Sequence, residues 1–335
     1  MNSKLNFNEK PLVSICCATY NQAPYIRQCL EGFLMQNTTF PFEIIINDDA
    51  STDGTTEIIQ DYEKKYPDVI KPIYQAVNQY SQKKKSMLFD ILFPRAIGKY
   101  IAVCEGDDYW IDPLKLQKQV DFLESNEDYG TVYTNKVDYD EQQKLFTSPH
   151  LLVKEGNAYS EMLSGKVGIW TLTICFRKKL LDDALYHDLS SLPQGSFKGD
   201  LFLFYHITRV LKIKYLSDVT SVYRKLIHSA SHFTDYKTGI KFSYSLRILG
   251  LYYLSKYPIA DKCLSKFLSK KYTLDIHRYA VCFNDWDLNK KIHFSFSPII
   301  SFKFLLKTTL IYMITRNKTM FHLFSKIFNF YKKHL

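Results

Sequence analysis

The chain has 335 residues, 46% of them hydrophobic, enough for about two domains with a sizeable core, which excludes a disordered polymer. Its formal charge of +10 points toward an anionic partner until its distribution is read. After Asp287 there is no acidic residue and there are nine basic ones, so removing them leaves +1 for everything before. The excess belongs to the C-terminal tail, and a near-neutral remainder with clustered carboxylates argues against nucleic acid.

The polar segment from Met1 to Lys10 leads straight into a strand-like run, so no cleavable signal segment is read and residence on the cytoplasmic side is expected. Leu12 to Ala18 is short, apolar and β-rich. Asn21 and Pro24 then turn the chain into a helical pattern through Ile26, Leu30, Phe33 and Leu34, a β-α unit. Phe42 to Ile46 is a second buried strand, and it stops in Asn47-Asp48-Asp49-Ala50-Ser51-Thr52-Asp53-Gly54-Thr55. A helix from Thr55 to Tyr66 closes at Pro67.

The pattern predicts a third strand over Val69 to Tyr74, a helix over Lys84 to Ala96 and a fourth strand over Tyr100 to Cys104. Such alternation gives a mostly parallel, Rossmann-like α/β sheet with helices on both faces, whose ligands bind at the carboxyl ends of the strands. Both acidic clusters, Asp48-Asp49 and Asp107-Asp108, fall at those ends. Beyond Asp112-Pro113, a helix over Leu116 to Leu123 and strands over Gly130 to Asn135, Trp170 to Phe176 and Lys214 to Tyr223 are expected, with a helix from Asp200 to Val210. From about Thr238 the pattern turns helical, so residues 1–235 read as a catalytic domain and 236–335 as a helical basic region. The seven cysteines lack C-x-x-C spacing and read as reduced, buried residues without disulfides or zinc.

Two adjacent carboxylates, Asp107 and Asp108, follow a buried strand beside Gly106. Hard oxygen ligands of this kind hold Mn²⁺ or Mg²⁺ and leave positions for substrate phosphates; the alternative is a solvated acidic turn. In the second cluster Ser51 and Asp53 read as caps for the helix at Thr55, and Asp49 as a contact to a base or ribose. Thr19, Tyr20 and Asn21 end the first strand, where an aromatic ring can stack on a nucleobase and polar neighbours can meet ribose; a β-turn explains Asn21 equally well. Asp200 is either a general base or a helix cap. His228 and His232, after the last strand, are candidates for a metal or diphosphate site, with His232 preferred.

These segments resemble glycosyltransferase family 2, the inverting transferases of GT-A fold that build bacterial capsules and lipopolysaccharide chains. The resemblance runs from Pro11 to Phe233. It rests on Val13-Ser14-Ile15 with Thr19-Tyr20-Asn21, on Glu43 to Thr55, and on Gly98-Lys99-Tyr100-Ile101 with Glu105-Gly106-Asp107-Asp108. It implies that Tyr20 and Asp49 meet the nucleobase, Asp107 the ribose and diphosphate, and Asp108 the metal, with Asp200 the base. Arg224 and the Ser-Ala-Ser-His stretch resemble the loop that closes over the diphosphate. Ala50 stands where the family has Gly, and Glu105 opens a motif that more often begins with Asp. No Gln-x-x-Arg-Trp sequence is present, so a single sugar added per encounter is expected rather than processive synthesis.

The resemblance implies a nucleotide-sugar donor, a UDP-sugar in first place, and a glycan or lipid-linked acceptor. From Ile292 to Leu335 apolar residues mix with scattered lysines, and Lys303 and Lys307 interrupt the best candidate span. An amphipathic segment lying on anionic lipid fits this pattern better than a spanning helix; packing against protein is the alternative. Two rival functions, a metal-dependent nucleotidyltransferase and a non-catalytic membrane-surface adaptor, are weaker. The first usually carries a Gly-rich loop after its first strand, where this chain has Tyr20-Asn21-Gln22-Ala23-Pro24.

Overall fold

A computed structural model describes residues 9–82, 86–148, 152–193, 195–196, 199–227 and 236–283, with Thr319, His322, Ser325 and Lys326. The chain divides into two compact units, residues 1–190 with 198–229, and residues 191–197 with 230–335.

The first unit begins with β1 (Val13–Thr19), α1 (Ile26–Leu34), β2 (Phe42–Asp48), α2 (Thr55–Lys65) and β3 (Ile70–Tyr74). A one-turn α3 (Gln79–Gln82) follows, then β4 (Tyr100–Val103) and the two-residue β5 (Tyr109–Trp110). β1 lies between β2 and β4, parallel to both, and β3 adds in parallel to β2. β2 is buried along its whole length, as expected of a strand covered on both faces.

The expected helix over Lys84 to Ala96 is replaced, within the described residues, by a π-helical turn at Met87–Leu92 and a 3₁₀ turn at Phe93–Arg95. Pro94 supplies the reason: it has no amide hydrogen for an i→i−4 bond and its ring collides with the preceding turn. Ala96 is then extended, which starts the approach to β4.

The second half of this unit holds α4 (Lys115–Ser125), β6 (Tyr129–Asp140), β7 (Leu145–Thr147), α5 (Tyr159–Ser164), β8 (Ile174–Arg177), α6 (Asp183–Ser191), α7 (Asp200–Val210) and β9 (Lys212–Lys225). The strand order is β3-β2-β1-β4-β8-β6-β9-β5, with β7 on β6. β8 runs antiparallel to β4 and β6, while β6 and β9 pair in parallel. The sheet is therefore parallel in its first half and mixed beyond β4, within the α/β architecture read from the sequence.

β6 outlasts its apolar stretch because pairing with β9 continues from Lys136↔Ser221 to Asp140↔Lys225. That register carries Arg224 beside Tyr139, next to the acidic turn. Five of the described cysteines, Cys16, Cys17, Cys29, Cys104 and Cys175, are buried and free; burial pushes the Cys104 and Cys175 thiols up to about 12, so they act as small apolar side chains.

The second unit is built on α8 (Tyr236–Lys256) and α9 (Lys262–Phe283). They pack through Tyr244 stacked on Tyr279 at 4.0 Å between ring centres, and an Arg247–Asp275 ion pair at 3.2 Å. Gly250 meets the Tyr272 ring so closely that a Cβ would stand 2.4 Å from it.

Candidate active site

The carboxyl end of β1 is stitched on both sides. The Gly106 amide donates to the Ala18 carbonyl at 3.0 Å, and the Asp49 amide donates to the Thr19 carbonyl at 3.0 Å. The loops leaving β2 and β4 are thus fixed to the same strand end, which brings Tyr20, Asp49 and Glu105-Gly106-Asp107-Asp108 together.

Gly106 is required by close approach. A Cβ there would lie 2.5 Å from Gln22 Oε1 and 2.8 Å from Thr19 Oγ1, and these two side chains are joined at 2.7 Å.

Asp108 is 3% exposed, and its Oδ1 accepts the backbone amide of Arg224 at 2.7 Å. Burial raises its pKa well above the usual aspartate value, and the charges of Asp107 and Glu105 push the same way. Burial also raises Asp107, against the pull of Arg224 and Gln22. Glu105 is raised to about 7, chiefly by burial, with the charges of Asp107 and Asp200 acting in the same sense and a 2.7 Å hydrogen bond from Thr171 Oγ1 opposing. Three carboxyl groups crowded at one strand end leave negative charge that a divalent cation would neutralise. The oxygen-only donor set suits Mg²⁺ or Mn²⁺, which complete their coordination with substrate phosphates and water. Among the described residues no group of three or more His, Cys, Asp or Glu forms a metal cage.

Asp200 is the first residue of α7, following Gly199 at the cap position. Its Oδ1 accepts the Leu201 amide at 2.8 Å. Burial raises its pKa, with that amide bond opposing, and it is near enough to Glu105 for its charge to be felt there.

Tyr20 is 46% exposed, an open aromatic face beside the turn. Asn21 is in the left-handed region at φ 51°. Its side-chain oxygen accepts the Thr52 amide at 2.8 Å and its own amide donates to Ser51 Oγ at 2.9 Å, so it ties the β1 turn to the loop after β2. Asp49 uses both oxygens to hold the start of α3, accepting the Gln79 amide at 2.8 Å and the Tyr80 amide at 3.0 Å.

Neither residue expected to cap α2 stands at its cap position, which is Gly54 without a side-chain cap bond; Asp53, one residue earlier, accepts the Thr55 amide at 3.1 Å. Ser51 does not cap: its hydroxyl donates to Asp48 at 2.5 Å, because the loop turns it back toward β2. Ala50, where the resemblance leads to the expectation of glycine, lies in the left-handed region at φ 64°.

The Arg224 side chain is 6–7% exposed, with every arm engaged by protein. Nε donates to the Asp107 carbonyl at 2.8 Å, Nη1 to Glu141 at 2.8 Å and Nη2 to Gln28 Oε1 at 2.7 Å. Tyr25 and Tyr109 flank the guanidinium at 4.8 and 5.1 Å from their ring centres. Arg224 thus braces the acidic turn from behind. Gln22, Gln28, Glu141 and Thr171 complete the surroundings, and no motif in the sequence marks them. His228 and His232 lie outside the described residues.

A mixed α/β sheet with an acidic turn after β4 and a carboxylate at the start of α7 is the arrangement of a GT-A fold. Residues 14–184 match the family described as Glycosyl transferase family 2, and the chain belongs to that family. Rv1520, an uncharacterized protein of Mycobacterium tuberculosis, is 34% identical over 228 residues, which cover 67% of this chain and 62% of that protein. The chain thus spans less than two thirds of the length of that relative. Among solved structures, Staphylococcus aureus TarS (residues 1–349) in complex with UDP-GlcNAc has TM-score 0.54 at 15% identity, covering 84% of this chain and 81% of that one. The mannosyltransferase PcManGT of Pyrobaculum calidifontis, in complex with GDP-Man and Mn²⁺, has TM-score 0.53 at 16% identity, covering 98% and 89%. At these identities the structures establish the fold.

Proposed function

We propose that the protein is an inverting glycosyltransferase that moves a sugar from a nucleotide-sugar donor, a UDP-sugar in first place, to a hydroxyl of a growing, lipid-linked surface polysaccharide. The observation that carries this reading is the placement of Asp107 and Asp108 at the carboxyl end of the sheet beside the exposed Tyr20, together with the buried carboxylate of Asp200 at the start of α7. The UDP-GlcNAc bound to TarS and the GDP-Man and Mn²⁺ bound to PcManGT support a nucleotide-sugar and a divalent ion in the same fold.

In this reading Tyr20 stacks on the base, with Thr19, Asn21 and Asp49 around the nucleoside, and Asp107 meets the ribose and diphosphate. Asp108 would hold Mn²⁺ or Mg²⁺, with His232 as a further ligand from outside the described residues. The ion supplies charge neutralisation and Lewis acidity at the departing diphosphate. Arg224 contributes by fixing the Asp107-Asp108 backbone.

Asp200 takes the proton of the acceptor hydroxyl as its oxygen attacks the anomeric carbon. The bond from that carbon to the diphosphate breaks on the opposite face, so the configuration inverts, and Asp200 later yields its proton to solvent. A carboxylate raised by burial, against the pull of the amide at the helix start, is a stronger base than an exposed aspartate.

The basic tail beyond Ile292 places the enzyme on the anionic cytoplasmic leaflet in this reading. Among the described residues no helix is long and apolar enough to cross a membrane.

Calorimetric titration with UDP, GDP and dTDP, with and without Mn²⁺, tests the donor site. We expect metal-dependent binding of one nucleotide that disappears in Asp108→Asn. Asp200→Asn should bind that nucleotide normally while losing about 10²–10⁴-fold in kcat, the usual weight of general base catalysis. Absence of nucleotide binding by the folded wild type under every condition, or full transfer by Asp200→Asn, would overturn the proposal.

A further inference from the structure

At the end of the sheet opposite the acidic turn, three strand termini meet. β1 starts at Val13, β4 starts at Tyr100, and antiparallel β8 ends at Arg177, with Tyr100 directly paired to Arg177. Five cations, Lys10, Lys99, Arg177, Lys178 and Lys179, line a cleft of about 560 Å³ there. Its apolar lining includes Leu12 and Ile97, and Ile97 is 50% exposed.

The acids nearby do not balance this charge. Lys99 pairs with Glu124 at 2.7 Å. Glu43 is buried, and its Oε1 accepts from Ser14 Oγ at 2.5 Å and from the Ile97 amide at 3.0 Å. Lys178 Nζ donates to the Ala96 carbonyl at 2.5 Å. The buried Arg177 guanidinium donates to the Tyr129, Leu123 and Asn126 carbonyls at 2.8, 2.5 and 3.0 Å, and to the Tyr100 hydroxyl at 3.2 Å. Every one of these last acceptors is neutral. Among the described residues no carboxylate forms an ion pair with Lys10, Arg177, Lys178 or Lys179.

Cations gathered in a concave site with low-dielectric walls focus a positive potential, and the exposed Lys10 and Lys179 leave that potential open to solvent. Arginine and lysine together are the usual partners of phosphate oxygens.

We propose that this cleft is a phosphate-binding site separate from the donor end, taking a phosphate ester held by Lys10, Lys178 and Lys179 with its organic part against Leu12 and Ile97. The seven-residue β1 separates the two ends by about 20 Å at the usual strand rise, so the site does not depend on the transferase reading. The ester is either that of an anionic phospholipid headgroup or that of a soluble metabolite.

The test uses the full chain in EDTA, which silences metal-dependent donor binding. Glycerol 1-phosphate is the soluble probe; vesicles of phosphatidylglycerol, against phosphatidylcholine, are the lipid probe. Lys10→Glu/Lys179→Glu reverses two exposed charges and should weaken at least one probe tenfold or more, with an unchanged melting temperature and unchanged UDP–Mn²⁺ affinity. A control reversal on α9, Lys262→Glu/Lys266→Glu, should leave the soluble probe unaffected. A tenfold loss confined to glycerol 1-phosphate assigns a metabolite, and one confined to vesicles assigns the headgroup. Failure of the wild type to bind either probe, or a loss below tenfold for both, overturns the proposal.

Discussion

Replacing Arg224 by lysine separates two roles that an arginine at this position can play. The wild-type guanidinium makes three side-chain hydrogen bonds, to the Asp107 carbonyl, Glu141 and Gln28, inside a sandwich of Tyr25 and Tyr109. A lysine keeps the charge but has a single nitrogen, which can satisfy one of the three directions well. Two charge-assisted bonds at about 1.5 kcal/mol each come to about 3 kcal/mol, or about 6 °C in Tm at roughly 2 °C per kcal/mol for a domain of this size. Thermal unfolding by circular dichroism, run beside a UDP–Mn²⁺ titration, should show the melting temperature and nucleotide affinity falling together, because the turn that carries Asp107 and Asp108 loosens. A melting temperature within 2 °C of wild type, accompanied by a large loss of affinity, would refute the bracing role and put the guanidinium on the diphosphate.

Lys115 is fully buried, with its amine 2.8 Å from Gln119 Oε1 and 4.4 Å from the centre of the Trp110 ring, and burial lowers its pKa to about 8 from 10.5. Between those two values the unfolded chain holds one proton more than the folded chain, so the cost of burying the charge is fully present below about pH 8 and is lifted as the pH rises toward 10.5. The stability of wild type should therefore climb relative to Lys115→Met by about 1 kcal/mol per pH unit across that window, and a gap in urea-unfolding free energy that stays constant with pH would disprove it. At Ala50, whose φ of 64° costs an L-residue about 1–2 kcal/mol, substitution by glycine should raise stability by about 0.5–1 kcal/mol after the greater unfolded-state freedom of glycine is deducted. Unfolding of Ala50→Gly at a lower urea concentration than wild type would contradict that. Because burial raises Asp200, the acidic limb of kcat should lie above the ordinary aspartate range and vanish from the residual activity of Asp200→Asn; an unshifted limb in the pH profile would count against Asp200 as the base.

The elements that the sequence predicted within a residue or two, β1, β2, β3, β4, β9, α2, α4 and α7, are mostly those in which one period or one apolar run is bounded by a turn residue or Pro. Where tertiary pairing or a single imino acid decides, the pattern fails. β6 runs on to Asp140 because β9 offers it a partner, and the expected helix before β4 gives way to π and 3₁₀ turns around Pro94. The same division applies to the site. The place of Asp107 and Asp108 just beyond a buried strand is legible because the apolar run over β4 stops shortly before them. Arg224 reads from the sequence only as part of the loop that closes over the diphosphate, and its hydrogen bonds to Gln28 and Glu141, which stand 196 and 83 residues away, are not legible there. Asp49 shows the limit from the other side: its occupation by the Gln79 and Tyr80 amides depends on a one-turn helix that carries no periodic signal.

What gives the acidic turn its fixed geometry is the number of independent chain segments that end on it. Gly106 is held to β1 through its amide and leaves no room for a Cβ between Thr19 and Gln22. Asp108 is held to β9 through the Arg224 amide, and Glu105 to the turn before β8 through Thr171. Trp110, just beyond, donates from Nε1 to the Leu172 carbonyl at 2.9 Å and meets Phe33 of α1 edge-on at 4.8 Å. Four elements distant in sequence thus converge on six consecutive residues, and the repulsion among Glu105, Asp107 and Asp108 is borne by that scaffold. A turn anchored by four separate elements has its backbone geometry set by the fold, which keeps the reorganisation on ligand binding smaller than that of a flexible acidic loop.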